Sequence, residues 1–216
     1  MIIGLSIGLI DMNCDKCQDR KYILIQNKWK PCSCLIDARK LLKYNQSGVL
    51  PYFYEYTWID FLKNYPNMKS ISKICKVIIS KIKTKSRLKF MYIQGDANSG
   101  KQALIALLFK EFINEGLSTK IISLNELIQM EFDKEEKYIL SDIYCKYDVV
   151  CLRIGTIIEH SYARPIIEKF FNTRKNYNKY AIITCRLDIE SKQGLYGIEV
   201  AKFLCDGRRV FKIRMK

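Results

Sequence analysis

Residues 88–104 read LKFMYIQGDANSGKQAL. An apolar run ends at Gly95, the loop Gly95-Asp96-Ala97-Asn98-Ser99-Gly100 follows, and Lys101-Gln102 opens an amphipathic segment. Strand, glycine-bounded loop and helix in that order make the phosphate-binding P-loop pattern, G-x4-G-K. Successive backbone N–H groups of such a loop wrap a polyphosphate, and the helix N-terminus adds partial positive charge. Lys101 reaches the outer phosphates as a point charge. Gln102 departs from the pattern, because a Ser or Thr hydroxyl usually holds Mg2+ at that place. The competing reading, a surface turn that happens to carry two glycines and a lysine, is disfavoured by the strand and helix on either side.

Upstream, four cysteines stand as C-x2-C-x14-C-x-C: Cys14, Cys17, Cys32 and Cys34. Two short-spaced pairs separated by a loop can bring four thiolates to the corners of a tetrahedron around Zn2+. The intervening DRKYILIQNKWKP alternates enough for a short hairpin, which would deliver the second pair beside the first. The other reading is a set of free buried thiols. Cys75, Cys145, Cys151, Cys185 and Cys205 are scattered singly in apolar surroundings and read as core packing. With no export signal, nine cysteines argue against disulfides.

At 216 residues the chain can bury one good core and carry a small satellite module. A hydrophobic share of 49% is ordinary for a globular protein. The longest apolar stretch, Met1–Ile10, is too short to span a bilayer and lacks the basic start of a secretion signal, so the expected location is the cytoplasm, with no membrane contact. A formal charge of +15 favours polyanions through counterion release, which makes nucleic acid the leading partner class. A lysine-rich compositional bias is the alternative.

Residues 36–44 are amphipathic and expected to be helical, and NQSG at 45–48 breaks them. PYFYEYTWIDFLKNYPN then holds seven aromatics. Two readings are open for this segment: a stacking platform for nucleobases, or a latch packed onto the following domain. From Lys69 to Leu88, Ile71, Ile74, Cys75, Ile78, Ile79 and Ile82 recur at helical spacing, with lysines 69, 73, 76, 81, 83 and 85 opposite. That face could track a phosphate backbone or could simply be solvated. Thereafter strands and helices alternate: strands FMYIQG, TKIISL, YDVVCLRI, YAIITC and RVFKIRM, with helical segments between them. Such alternation makes a parallel sheet covered on both faces. His160, the single histidine, has no companion for metal or nucleophilic work and reads as a loop residue.

In order and spacing these pieces resemble the bacterial and phage replicative-helicase loaders, the DnaC/DnaI/IstB-like branch of the AAA+ ATPases. The resemblance rests on the cysteine module, the Pro51–Phe61 aromatics, the P-loop, NEL at 125–127, SYARPIIEKFFNTR, the IITC strand, and the closing LYGIEVAKFL and VFKIR. It implies an α/β fold: a P-loop AAA+ core with a five-stranded parallel sheet and helices on both faces, preceded by a small zinc-binding module. The implied division is a zinc module at 1–44, an aromatic linker and basic helix at 45–87, and a lidless AAA+ domain at 88–216. ATP or ADP at residues 95–102, a weakened Mg2+ site, and Zn2+ at the four cysteines are the implied cofactors. A hexameric replicative helicase and single-stranded DNA are the implied partners, with nucleotide-dependent self-assembly a further possibility. An IstB-like transposition ATPase and a non-catalytic zinc and DNA-binding adaptor are the alternatives.

Several hydrolytic positions depart from that family. Its members end the third strand with a pair of acids, whereas DVVCLRIGTIIE has none between Asp148 and Glu159, and Leu152-Arg153 or Arg153-Ile154 stands there. The sensor asparagine after the fourth strand appears as Arg186, and the arginine-finger region reads Ala201-Lys202-Phe203. Impaired hydrolysis is the expectation, unless Asp148 or Glu159 supplies the missing acid.

Overall fold

Strands buried on both faces are near-continuous apolar runs, and the downstream strands have that character. The computed structural model describes residues 14–83, 89–133, 135, 137–155, 162–186, 197–207 and 210–215. His160, Glu159, Lys85 and the stretch 1–10 fall outside the described residues. Two compact units divide between Leu42 and Lys43.

The first unit is built on a hairpin of β1 (Tyr22–Ile25) and β2 (Lys28–Pro31), paired antiparallel so that Leu24 faces Trp29. Gln26 and Asn27 both have positive φ, 52° and 56°, the backbone of a two-residue turn whose twist suits a hairpin. Helix α1 (Ser33–Ser47) follows and is longer at both ends than its amphipathic stretch suggested. Gly48, at φ 80°, ends it.

In the second unit, β3 (Phe90–Gly95), β4 (Thr119–Ser123), β5 (Val149–Arg153), β6 (Tyr180–Cys185) and β7 (Val210–Met215) form a five-stranded sheet in the order β4-β5-β6-β3-β7. Every pairing is parallel. The expected α/β core is therefore observed. The P-loop strand β3 lies inside the sheet between β6 and β7, and the chain leaves it for the far edge strand β4.

Alternate side chains feed two cores, as the strand period of two requires. On one face Met91, Ile93, Cys151, Ile182 and Ile213 pack with helix α3 (Lys69–Lys83) and helix α4 (Lys101–Asn114). On the other, Tyr92, Leu152 and Ile183 meet helix α5 (Leu124–Phe132), helix α7 (Ala163–Asn176) and helix α8 (Ile198–Cys205). A short helix α6 (Lys137–Ser141) runs into a π-helical turn over Asp142–Lys146. Of the five single cysteines, Cys75, Cys151 and Cys185 are buried as expected, Cys145 is half-buried, and Cys205 is exposed. Among the described residues no helix is long and apolar enough to cross a membrane.

The aromatic segment resolves in favour of packing. It forms helix α2 (Trp58–Asn64) between two short 3-10 turns, started by a capping box in which Thr57 and Asp60 satisfy each other's backbone N–H. Phe61 and Met68 are buried in the α3–α4 core, and Phe53, Tyr56, Trp58 and Tyr65 pack against it. Trp58 Nε1 donates to Glu111 on α4 at 3.2 Å, and Lys110 Nζ donates to the Tyr56 carbonyl at 2.7 Å.

Arg174 on α7 is fully buried and ties the amino ends of the central strands together. Its Nη1 donates to the carbonyls of Ile143, Tyr144 and Tyr147 (3.3, 3.4 and 2.7 Å). Nη2 donates to Asp148 at 3.0 Å and to Tyr180. Burial lowers its pKa to about 10, so it stays charged at neutral pH. Arg174→Ala removes one charged donor set and orphans several carbonyls, and should destabilise by about 3–5 kcal/mol. Arg174→Lys should recover only part, lacking the planar fork. Urea unfolding midpoints check both.

Candidate functional site

The cysteine module brings its four sulfurs together. All four Sγ atoms lie within 4.8 Å of one another, with Cys14 to Cys32 at 3.8 Å and Cys17 to Cys34 at 3.4 Å. A tetrahedron with Zn–S bonds of about 2.3 Å has S···S edges of about 3.8 Å, so the donor set fits Zn2+. Turns hold it: the Cys14 carbonyl accepts from the N–H of Cys17 and of Gln18, and that of Cys32 from Leu35 and Ile36. The Cys34 backbone N–H holds the Cys32 thiol down, to about 7, while burial pushes the Cys34 thiol up, to about 12. Ile23 is the apolar side chain packed against the cluster, so little besides a metal could organise it.

The P-loop occupies the carboxyl end of β3. Gly95 is forced by crowding: a Cβ there would lie 2.5 Å from Ser99 Oγ and 2.7 Å from the Met215 carbonyl. Gly100, at φ 84°, caps α4 in the left-handed region, and a Cβ on it would come within 2.7 Å of the Tyr65 ring. Lys101 Nζ donates to the carbonyls of Gly95 and Asp96, both at 2.5 Å, and to Ser99 Oγ at 3.3 Å. Burial lowers the Lys101 pKa, and the positive charge of Arg186 adds to that, with Asp96 opposing.

A cleft of about 470 Å³ opens here. Ala97, Asn98, Ser99, Gly100, Lys101 and Gln102 form its floor. Tyr52, Tyr56 and Tyr65 of the aromatic segment form one wall, and the strand ends contribute Arg153, Thr184 and Arg186. Asp96 bounds the loop but does not line the cleft. The tyrosine wall was not assigned to this site from sequence. Its only signal was aromatic density upstream of the P-loop, which does not say where the rings go.

No protein-family model matches the sequence, and no curated protein matches it significantly. Solved structures do match its fold. A crystal structure of DnaI superposes with a TM-score of 0.54, at 16% identity over 68% of this chain and 80% of DnaI. A crystal structure of the DnaC helicase loader gives 0.55, at 16% identity over 66% of this chain and 86% of that one. The replication initiator DnaA, bound to AMPPCP and single-stranded DNA, gives 0.53 at 17% identity, and the chain spans 47% of its length. The chain shares with these structures a P-loop α/β fold.

Register places the residues at the strand ends. Arg153 is the last residue of β5, opposite Thr184 on β6 and Ser123 on β4. Leu152 is buried in the α5–α7 core, so Arg153 and Ile154 are the strand-end residues that line the cleft, and Ile154 extends the ladder by donating its N–H to the Thr184 carbonyl at 2.8 Å. Arg186 follows β6 directly. Asp148 is no substitute acid. It precedes β5 at the opposite end of the sheet, where it accepts from Ser118 and pairs with Lys179 at 2.8 Å. A strand of this length sets it about 16 Å from Arg153. Lys202, on α8, lines a separate surface cleft with Phe90 and Phe203.

Among the described residues lining the P-loop cleft there is no carboxylate. Magnesium takes hard oxygen ligands, and the neutral amide of Gln102 beside a guanidinium is a poor set for it. Among the described residues the cleft offers the phosphate half of a nucleotide site and not the metal half. For the cysteine module the expectation is about one Zn2+ per chain by metal analysis of the purified protein, lost in Cys32→Ser. Folded protein that carries no zinc and keeps the β1–β2 hairpin would overturn it.

Proposed function

We propose that this chain is a helicase-loader-like AAA+ protein of DNA replication that binds ATP or ADP and hydrolyses it slowly or not at all. The observation that carries the reading is the split within one cleft: the backbone cradle and Lys101 are intact, while Arg153 stands at the strand end that would hold acids. Binding draws on loop N–H groups, the α4 N-terminus and Lys101, none of which depends on the missing acids. Phosphoryl transfer needs a metal, a positioned water and an incoming positive charge in the transition state.

Zn2+ at Cys14, Cys17, Cys32 and Cys34 is proposed as a structural ion. The DnaI and DnaC folds support a replicative helicase as the protein partner. Single-stranded DNA is the proposed nucleic-acid partner, supported by the +15 charge and by Lys69, Lys73 and Lys76, exposed on the outer face of α3 while Ile71, Cys75 and Ile78 face inward.

Fluorescent-nucleotide titration should give saturable ATP or ADP binding, abolished by Lys101→Ala, while phosphate release stays near background with DNA present. Robust turnover overturns the non-hydrolytic half, and no nucleotide binding overturns the whole. Affinity for single strands should fall by two or more orders of magnitude between low and physiological salt, with little sequence preference, if several phosphates are neutralised. Co-purification with a replicative helicase tests the loader assignment. Its absence, alongside DNA binding independent of nucleotide, favours an adaptor.

A further inference from the structure

We propose that the P-loop cleft takes its nucleotide as the metal-free polyanion, with Arg153 supplying the positive charge that a divalent cation supplies in hydrolysing P-loop proteins. This rests on the nucleotide-binding reading above and extends it by naming the charge form of the ligand.

The argument begins with position. β5 is separated from the P-loop strand β3 by β6 alone. Arg153, at its carboxyl end, therefore starts about 10 Å from the end of β3, a gap that a long arginine side chain crosses in large part. Its side chain belongs to the α4 side of the sheet, because its neighbour Leu152 is buried on the opposite face. Arg153 and Gln102 line the P-loop cleft together, and together they line the small adjoining pocket beside Gly48 and Ile121. The guanidinium thus approaches the first turn of α4, where a hydroxyl-bound metal would sit.

Chemistry agrees with position. Among the described residues, Arg153 Nε is buried and has no hydrogen-bond acceptor. Such a donor is unfavourable until an acceptor reaches it, and phosphate oxygens suit a guanidinium fork. The positive charge of Arg153 acts on the Glu126 carboxylate. That carboxylate is already engaged as the capping partner of the Ser123 N–H at the start of α5, at 2.6 Å.

Net charge points the same way. Lys101, Arg153 and Arg186 line one cleft with the N-terminus of α4, and no described carboxylate lines it to balance them. Lys101 registers the crowding, since Arg186 disfavours its charged form. An uncomplexed nucleotide brings the full charge of its phosphates to this cluster. Bound Mg2+ cancels part of that charge and adds a divalent cation next to a guanidinium, so the complexed form should bind no better.

Calorimetry on the full-length chain, with ATP and ADP in EDTA and again in excess MgCl2, decides the point. Binding should persist in EDTA with a Kd equal to or below that in Mg2+. Arg153→Gln should weaken the EDTA value about tenfold or more, because a charge-assisted contact is lost. Arg153→Asp should make binding Mg2+-dependent. Arg186→Gln, at an exposed position, should also weaken binding in EDTA, and it decides the charge argument if the Arg153 variants misfold. Affinity about tenfold or more tighter in Mg2+ than in EDTA overturns the proposal and leaves nucleotide binding intact. Undiminished EDTA binding by folded Arg153→Gln removes Arg153 from the role. No binding under either condition overturns this proposal and the reading beneath it.

Discussion

One buried guanidinium sets the geometry from which the site is built. Arg174 gathers carbonyls from the π-helical turn, from Asp148 ahead of β5 and from Tyr180 at the start of β6. These groups sit at the amino ends of the adjacent strands β5 and β6, where the Asp148 carbonyl also accepts from the Tyr180 N–H at 2.9 Å. A charged planar donor satisfies them together and fixes the relative stagger of β5 and β6. The stagger matters at the other end, because it determines which residues emerge beside the P-loop. Arg153 pairs with Thr184, and Arg186 follows one residue after β6, only with that register. A slip by one residue would turn Arg153 toward the opposite core.

The cleft separates two kinds of phosphate chemistry that usually travel together. Recognition by loop N–H groups depends on backbone shape, which Gly95 and Gly100 secure by leaving room for Ser99, Met215 and Tyr65. Activation depends on side-chain oxygens that hold a metal and a water. A chain can lose the second set without disturbing the first, since none of those oxygens shapes the loop. On the function proposed above, what remains would hold a nucleotide without consuming it.

The sequence made the backbone-determined parts readable. The P-loop, the strand-helix alternation and the cysteine spacing are local patterns set by glycine freedom, residue period and ligand count. The order of strands, with β3 between β6 and β7, is not local, and no reading of the sequence assigned it. Tertiary contacts were the least legible. Tyr65 over Gly100 joins segments with no shared pattern, and the seven-aromatic stretch allows both a latch and a stacking platform until Phe61 is seen buried. Asp148 was readable as a spare acid because sequence shows distance along a strand but not which end faces the ligand. Cys205 looked like core from its apolar neighbours, although the helix turns that side chain outward.

The placement of β3 bears on how the protein comes to exist. Both of its hydrogen-bonded neighbours, β6 and β7, belong to the distal half of the chain. During synthesis the P-loop segment therefore emerges long before either flank that will hold it. Non-local pairing of this kind delays folding, because loop closure must precede the contacts that reward it. Gly95 makes the dependence sharper, since its tight fit is against the backbone of Met215 in β7. The phosphate cradle is thus among the late products of folding, and a nascent chain exposes an apolar, unpaired strand until then. On the function proposed above, a nucleotide that binds only the finished cradle would pull the last steps forward by mass action and raise the yield of folded protein.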